Sequence, residues 1–154
     1  MPHLVILYTP NLEAKTDMSA LCRKLADVML QQRDEAGAQV YPTGGTRVYA
    51  YPAAHYAVAD GGRSGKTVNG NADYAFVYLN VRMAAGRSDA VKKRAGDDIL
   101  AAVKAHFDEL LKTSPLGITL NIDENPGQVY DGKLSSLHPL FQPPPHALPT
   151  PPST

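Results

Sequence analysis

Apolar residues begin almost at the first position. His3 to Tyr8 (HLVILY) is a run rich in Leu, Val and Ile, short enough for a strand and too short for a stable helix. Leu4, Ile6 and Tyr8 fall on one side and Val5 and Leu7 on the other, so both faces are apolar. Such a strand belongs inside a sheet that is covered on both faces. Thr9-Pro10-Asn11 ends it. Thr16 or Asp17 is then a plausible N-cap for a helix reaching about Ala36. Met18, Leu21, Cys22, Leu25, Val28 and Met29 recur at three- and four-residue spacing and form one apolar stripe, and Gly37 supplies a stop.

The second half of the pattern repeats the first. Residues 41–47 (YPTGGTR) are a turn-rich approach to a strand over Val48 to Tyr51, which Pro52 closes or places at an edge. Residues 60–71 (DGGRSGKTVNGN) are polar and glycine-rich and read as an exposed loop or hairpin tip. Asp73 to Met83 is the longest strand, with Tyr74, Phe76 and Tyr78 on one face and Ala75, Val77 and Leu79 on the other. Ser88 is a good N-cap for a second long helix to about Thr113, striped by Val91, Ala95, Ile99, Ala102, Val103, His106, Phe107 and Leu110. Ser114-Pro115 breaks that helix, Leu116 to Ile122 is a last strand, and residues 123–127 (DENPG) are a turn.

The order is strand-helix-strand, twice. It predicts an α/β chain in two layers, with two helices on one face of a four-stranded sheet. Because the strands are apolar on both faces, the second face needs a cover, and in so small a chain another copy is the natural one. A homo-oligomer follows from the pattern.

Composition narrows the picture. With 154 residues the chain is one domain over 1–142, followed by a proline-rich tail over 143–154. Six of the thirteen prolines fall in that tail, which lacks apolar periodicity and is expected to be extended and mobile. Lys+Arg and Asp+Glu balance at 15 each, so no global field draws in nucleic acid or an anionic membrane. No apolar run is long enough for a membrane helix and no secretion signal is visible, so a soluble cytoplasmic protein is expected. Cys22, the single cysteine, cannot form an internal disulfide and reads as core filler.

Gly65-Lys66-Thr67 matches the end of a phosphate-binding loop, but the glycine that motif needs five residues earlier is Asp60. Nucleotide binding is rejected. The five histidines show no metal-ligand spacing, and no Gly-x-Ser-x-Gly turn is present. His106, inside an apolar stripe, reads as a satisfied core or boundary residue.

The residue with the most pointed chemistry is Pro2. Methionine is normally trimmed before so compact a residue, which would leave a secondary amine at the head of a buried strand. An unperturbed α-amino group titrates at roughly 7.7–8.0, and burial or a nearby positive charge lowers that value. Such a group is a general base at neutral pH. If Met1 stays, the same nitrogen is an amide without basicity.

Pro2-His3-Leu4, residues 73–77 (DYAFV), Ala85-Gly86-Arg87-Ser88 and residues 137–141 (LHPLF) together resemble the 5-carboxymethyl-2-hydroxymuconate isomerase family. That family is a branch of the tautomerase superfamily, with 4-oxalocrotonate tautomerase and macrophage migration inhibitory factor. The resemblance spans about residues 2–141 and is strongest from 73 to 114. It implies a homotrimer of tautomerase-like βαββαβ subunits, with no metal and no organic cofactor. It also implies ketonisation of a 2-hydroxydienoate in homoprotocatechuate breakdown, on a small di- or tricarboxylate substrate. Pro2 takes the place of the family's base. Arg87 matches a carboxylate-holding arginine within Ala-Gly-Arg-Ser, and Arg47 matches another more loosely through Gly-x-Arg. Residues 62–71 look like an insertion in the family pattern, and the tail goes beyond it. Two other readings stand beside this one: a relative that hydrates or dehalogenates unsaturated acids, and a non-catalytic oligomeric binding protein.

Overall fold

The computed structural model describes residues 1–143. Four strands form one sheet: β1 (His3–Tyr8), β2 (Arg47–Pro52), β3 (Ala75–Ala84) and β4 (Leu116–Asn125), in the order β2-β1-β3-β4. β1 pairs parallel with β2 and antiparallel with β3, and β3 pairs parallel with β4. Each parallel pair is joined across a helix, α1 (Met18–Gln31) or α2 (Asp89–Thr113), so the chain is two βαβ units side by side. This is the two-layer arrangement expected from the alternation, with two helices serving one four-stranded sheet.

Local chemistry explains where the helices begin. Asp17 caps α1 by accepting the Ala20 N–H at 2.9 Å, and Ser88 caps α2 by accepting the Val91 N–H at 3.2 Å. Both stripes face the sheet. Leu21, Leu25 and Met29 of α1 and Val91, Ala95, Ile99, Val103 and Phe107 of α2 are buried against Leu4, Ile6, Val77, Leu79 and Val81. His106 is half-buried at the stripe's margin, where its Nε2 meets Thr16 Oγ1 at 2.7 Å. It is the satisfied boundary residue anticipated.

Three boundaries move. α1 ends at Gln31, not near Ala36, because Gln32 turns extended and Arg33 bridges antiparallel to Gln39. Asp34 Oδ1 holds that reversal by accepting the N–H groups of Ala36 and Ala38. Gly37, at φ +81°, therefore serves a tight turn and not a helix end. β3 starts at Ala75, since the Asn11 side chain ties down Asp73 and the Tyr74 carbonyl just before it. β4 runs on to Asn125, because ladder pairing with β3 continues through residues expected to turn.

Residues 60–71 form the expected loop, organised by the Asp60 carboxylate, which accepts the N–H groups of Gly62 and Ser64. Gly62 (φ +88°) packs so closely that a Cβ would lie 2.0 Å from the Ala72 carbonyl oxygen. Pro52 ends an edge strand, the position a sheet tolerates. Beyond Pro143 the proline-rich tail lies outside the described residues.

Candidate active site

The period of two along each strand puts His3, Val5 and Leu7 on the face that the helices leave open. The pairing register then lines up their neighbours. At the head of the sheet the open face reads Arg47, His3, Arg82 and Asp123 across β2, β1, β3 and β4. Below it lie Tyr49, Val5, Asn80 and Asn121, and then Tyr51, Leu7, Tyr78 and Thr119. The face is charged at one end and aromatic at the other.

A cleft of about 510 Å³ opens at the charged end, bounded by Met1, His3, Arg82 and Asp123, with Asp131 and Lys133 from the segment after β4. Pro2 is buried at the head of β1. Its nitrogen is bonded to Met1, which itself borders the cleft and whose sulfur lies beside Gly45. In the chain as it stands that nitrogen is an amide. Removal of Met1 would convert it to an amine, widen the cleft, and turn the new amine toward the space Met1 vacates.

Arg82 is held by a relay. Its Nε donates to Asn80 Oδ1 at 3.0 Å, and Asn80, nearly inaccessible, donates from Nδ2 to Asp123 Oδ2 at 2.7 Å. Neither terminal guanidinium nitrogen of Arg82 has a hydrogen-bond partner among the described residues. His3 sits between Arg47 and Arg82. Burial pushes its pKa below the ordinary 6.5, the Met1 backbone opposes this, and the two guanidinium charges lower it further. The ring is neutral at pH 7, and its buried Nδ1 has no partner among the described residues. A buried polar atom without a partner costs stability and marks a place where a ligand group can bond.

The three residues singled out from the sequence are placed differently. Pro2 and Arg47 share the head of the sheet with His3, and Arg47 Nη1 donates to the Gly45 carbonyl at 3.1 Å. Arg87 is anchored to backbone by one donor on each terminal nitrogen: Nη1 donates to the Ala84 carbonyl at 3.0 Å and Nη2 to that of Val40 at 2.9 Å. It touches the cleft through Ala84, one of the cleft's lining residues. Its charge also works against the burial that raises the Tyr41 phenol.

Sequence reasoning passed over His3, Arg82 and the Asn80–Asp123 pair. The alternation of residues 73–83 does put Asn80 and Arg82 on one face, but their meeting with His3 is a matter of register. Among the described residues no three His, Cys, Asp or Glu side chains gather as a metal site, and no helix is long and apolar enough to cross a membrane.

Comparison with known proteins identifies the family and the fold. The profile of the family described as 5-carboxymethyl-2-hydroxymuconate isomerase matches residues 2–141. A crystal structure of a 5-carboxymethyl-2-hydroxymuconate delta-isomerase is 55% identical with a TM-score of 0.87, covering 93% of this chain and 94% of its own. A 5-carboxymethyl-2-hydroxymuconate isomerase from Deinococcus radiodurans R1 is 31% identical with a TM-score of 0.74, over 92% of this chain and 95% of its own. The 5-carboxymethyl-2-hydroxymuconate Delta-isomerase of Escherichia coli is 25% identical over 92% of this chain and all of its own. At 18% identity and TM-score 0.51, a wild-type fused 4-OT described as an asymmetric trimer shares the fold, covering 90% of this chain and 97% of its own.

Proposed function

The chain belongs to the 5-carboxymethyl-2-hydroxymuconate isomerase family, and from that premise we propose that it ketonises 5-carboxymethyl-2-hydroxymuconate with the Pro2 nitrogen as its base. The observation behind this reading is the head of β1: a buried Pro2 bonded to Met1, which lines the cleft together with His3 and Arg82, and Arg47 paired with His3 across β2.

The chemistry asks for one base that both takes and returns a proton. With Met1 removed, the amine at Pro2 accepts the proton of the 2-hydroxyl as the oxygen becomes a carbonyl. The double bonds shift along the diene, and the same nitrogen delivers the proton to C5. Guanidinium charges nearby disfavour protonation of the free amine and keep it neutral, available to accept a proton, at pH 7. Arg47 holds one carboxylate by charge and hydrogen bonding, and Arg87 takes another with the donors its carbonyl contacts leave over. Positive charge beside the developing enolate stabilises it.

Hydration of an unsaturated acid would use a carboxylate in the cleft to activate water. Asp123, Glu124 and Asp131 border the cleft, but each already has a partner, in Asn80, Lys92 and Lys133 respectively. Isomerisation is the better supported reaction. It would place the protein in homoprotocatechuate breakdown.

The working unit of this proposal is a homotrimer. Leu7, Tyr49 and Tyr51 remain 45–50% exposed on the open face of a single chain, and Val129, Tyr130 and Leu134 stand almost wholly in solvent. Apolar surface of this extent marks an interface.

The test begins with intact mass, which reports whether Met1 is present. An ultraviolet assay on 2-hydroxymuconate-type dienols then follows loss of the dienol. Turnover by the trimmed protein, and none by protein that retains Met1, is the expected result. Equal turnover by both forms overturns Pro2 as the base.

A further inference from the structure

Arg82 enters the reading above only through its charge, yet it is the best prepared cation on the open face. Its Nε is fixed by Asn80, and Asn80 is fixed in turn by Asp123. The outer edge of its guanidinium is left toward a cleft that His3 and Met1 share. Across the sheet it lies two strands from Arg47, with His3 between them. Strands are spaced at about 4.8 Å, so the two arginine backbones stand about 10 Å apart. That gap suits an extended six-carbon acid carrying carboxylates at separated positions. Arg47 and Arg87 together answer two carboxylates, but 5-carboxymethyl-2-hydroxymuconate has three.

We propose that Arg82, positioned by Asn80 and Asp123, binds the third carboxylate and makes the site selective for tricarboxylates over dicarboxylates. The proposal rests on the isomerase reading and adds the residue that would set its substrate class. The neutral imidazole of His3, with its buried Nδ1 facing no protein partner, supplies a hydrogen bond to the same ligand end. Asn80 and Asp123 act through Arg82: they hold the plane of the guanidinium so that its two outer nitrogens present a two-point edge. A lysine would keep the charge and lose that edge.

The experiment uses full-length protein trimmed of Met1 and two probes that cannot turn over, propane-1,2,3-tricarboxylate and glutarate, with binding followed by calorimetry. Wild type is expected to prefer the tricarboxylate. In Arg82→Gln that preference falls about 10- to 100-fold, the range for losing a hydrogen bond to a charged group. Arg82→Lys and Asn80→Ala lower it severalfold. In turnover, the ratio of kcat/KM on 5-carboxymethyl-2-hydroxymuconate to that on 2-hydroxymuconate falls in parallel, mainly through KM. An unchanged ratio in Arg82→Gln overturns the proposal, and so does an equal loss on both probes. If Arg82→Gln does not fold, an unchanged ratio in Arg82→Lys overturns it equally. The two readings fail separately: selective binding without turnover removes the Pro2 mechanism and leaves the anchor, whereas turnover with an unaltered ratio removes only the anchor.

Discussion

The two faces of the one sheet are made of alternate residues on the same strands, and they do different work. The covered face is uniform: Leu4, Ile6, Val77, Leu79 and Val81 are wholly buried under two helices. The open face grades from Arg47, His3 and Arg82 at one end to Tyr51, Leu7 and Tyr78 at the other. Hydrophobic burial is non-directional and tolerates many residues of similar size. Binding a polyanion is directional and requires particular donors in a particular register. Stability therefore resides on the covered side of this sheet, and the proposed recognition on the other and at its head.

The sharpest way to separate the two is at Pro2. Pro2→Ala is expected to lower kcat by about 10²- to 10⁴-fold, the range for a lost general base, while melting temperature and particle mass stay close to wild type. Full turnover by a folded variant would remove Pro2 from the mechanism.

A second comparison sets two leucines against each other. Leu79→Ala, on the covered face, should destabilise the subunit by about 2–5 kcal/mol in chemical denaturation. Leu7→Ala, on the open face, should instead loosen subunit association, read as concentration-dependent mass with a well-folded chain. If Leu7→Ala unfolds the subunit as severely as Leu79→Ala, the division between the faces is wrong.

A milder effect comes from pH. Burial lowers the pKa of His3, and burial and then Lys24 lower that of His106 against an opposing pull from Asp17. Well above pH 6.5 both imidazoles are neutral in folded and unfolded chains alike, so neither weighs on stability. As the pH falls below 6.5, the unfolded chain binds protons that the folded chain resists. Stability should therefore decline from that point until the lowered folded-state values are passed. His106→Gln should shrink the decline in a melting-temperature series, and an unchanged slope would show that His106 contributes nothing to it. The smallest change belongs to Ser88→Ala, which removes the α2 cap and should cost about 1 kcal/mol with no effect on substrate affinity.

Much of the fold was legible from spacing alone. Ser88 announced a helix through its capping hydroxyl, and the stripes of α1 and α2 named nearly every side chain that packs on the sheet. What misled was local: Gly37 looked like a helix stop, whereas the Asp34 carboxylate and the Arg33–Gln39 bridge had already turned the chain. The candidate site could be proposed from the sequence only where one residue type carries unusual chemistry, as Pro2 does. Arg87 lay in a recognisable motif, but one of its two carbonyl contacts is to Val40, 47 positions away.

The residues by themselves determined two βαβ units, the side of each helix that is buried, and a proline at the head of the first strand, because these follow from periods of 3.6 and 2 and from caps within a few positions. Only the tertiary structure decided that Arg47, His3, Arg82 and Asp123 form one row, since strand order and register arise from the whole core closing at once. A shift of one residue in β3 would turn Arg82 to the helix side and leave the cleft without it.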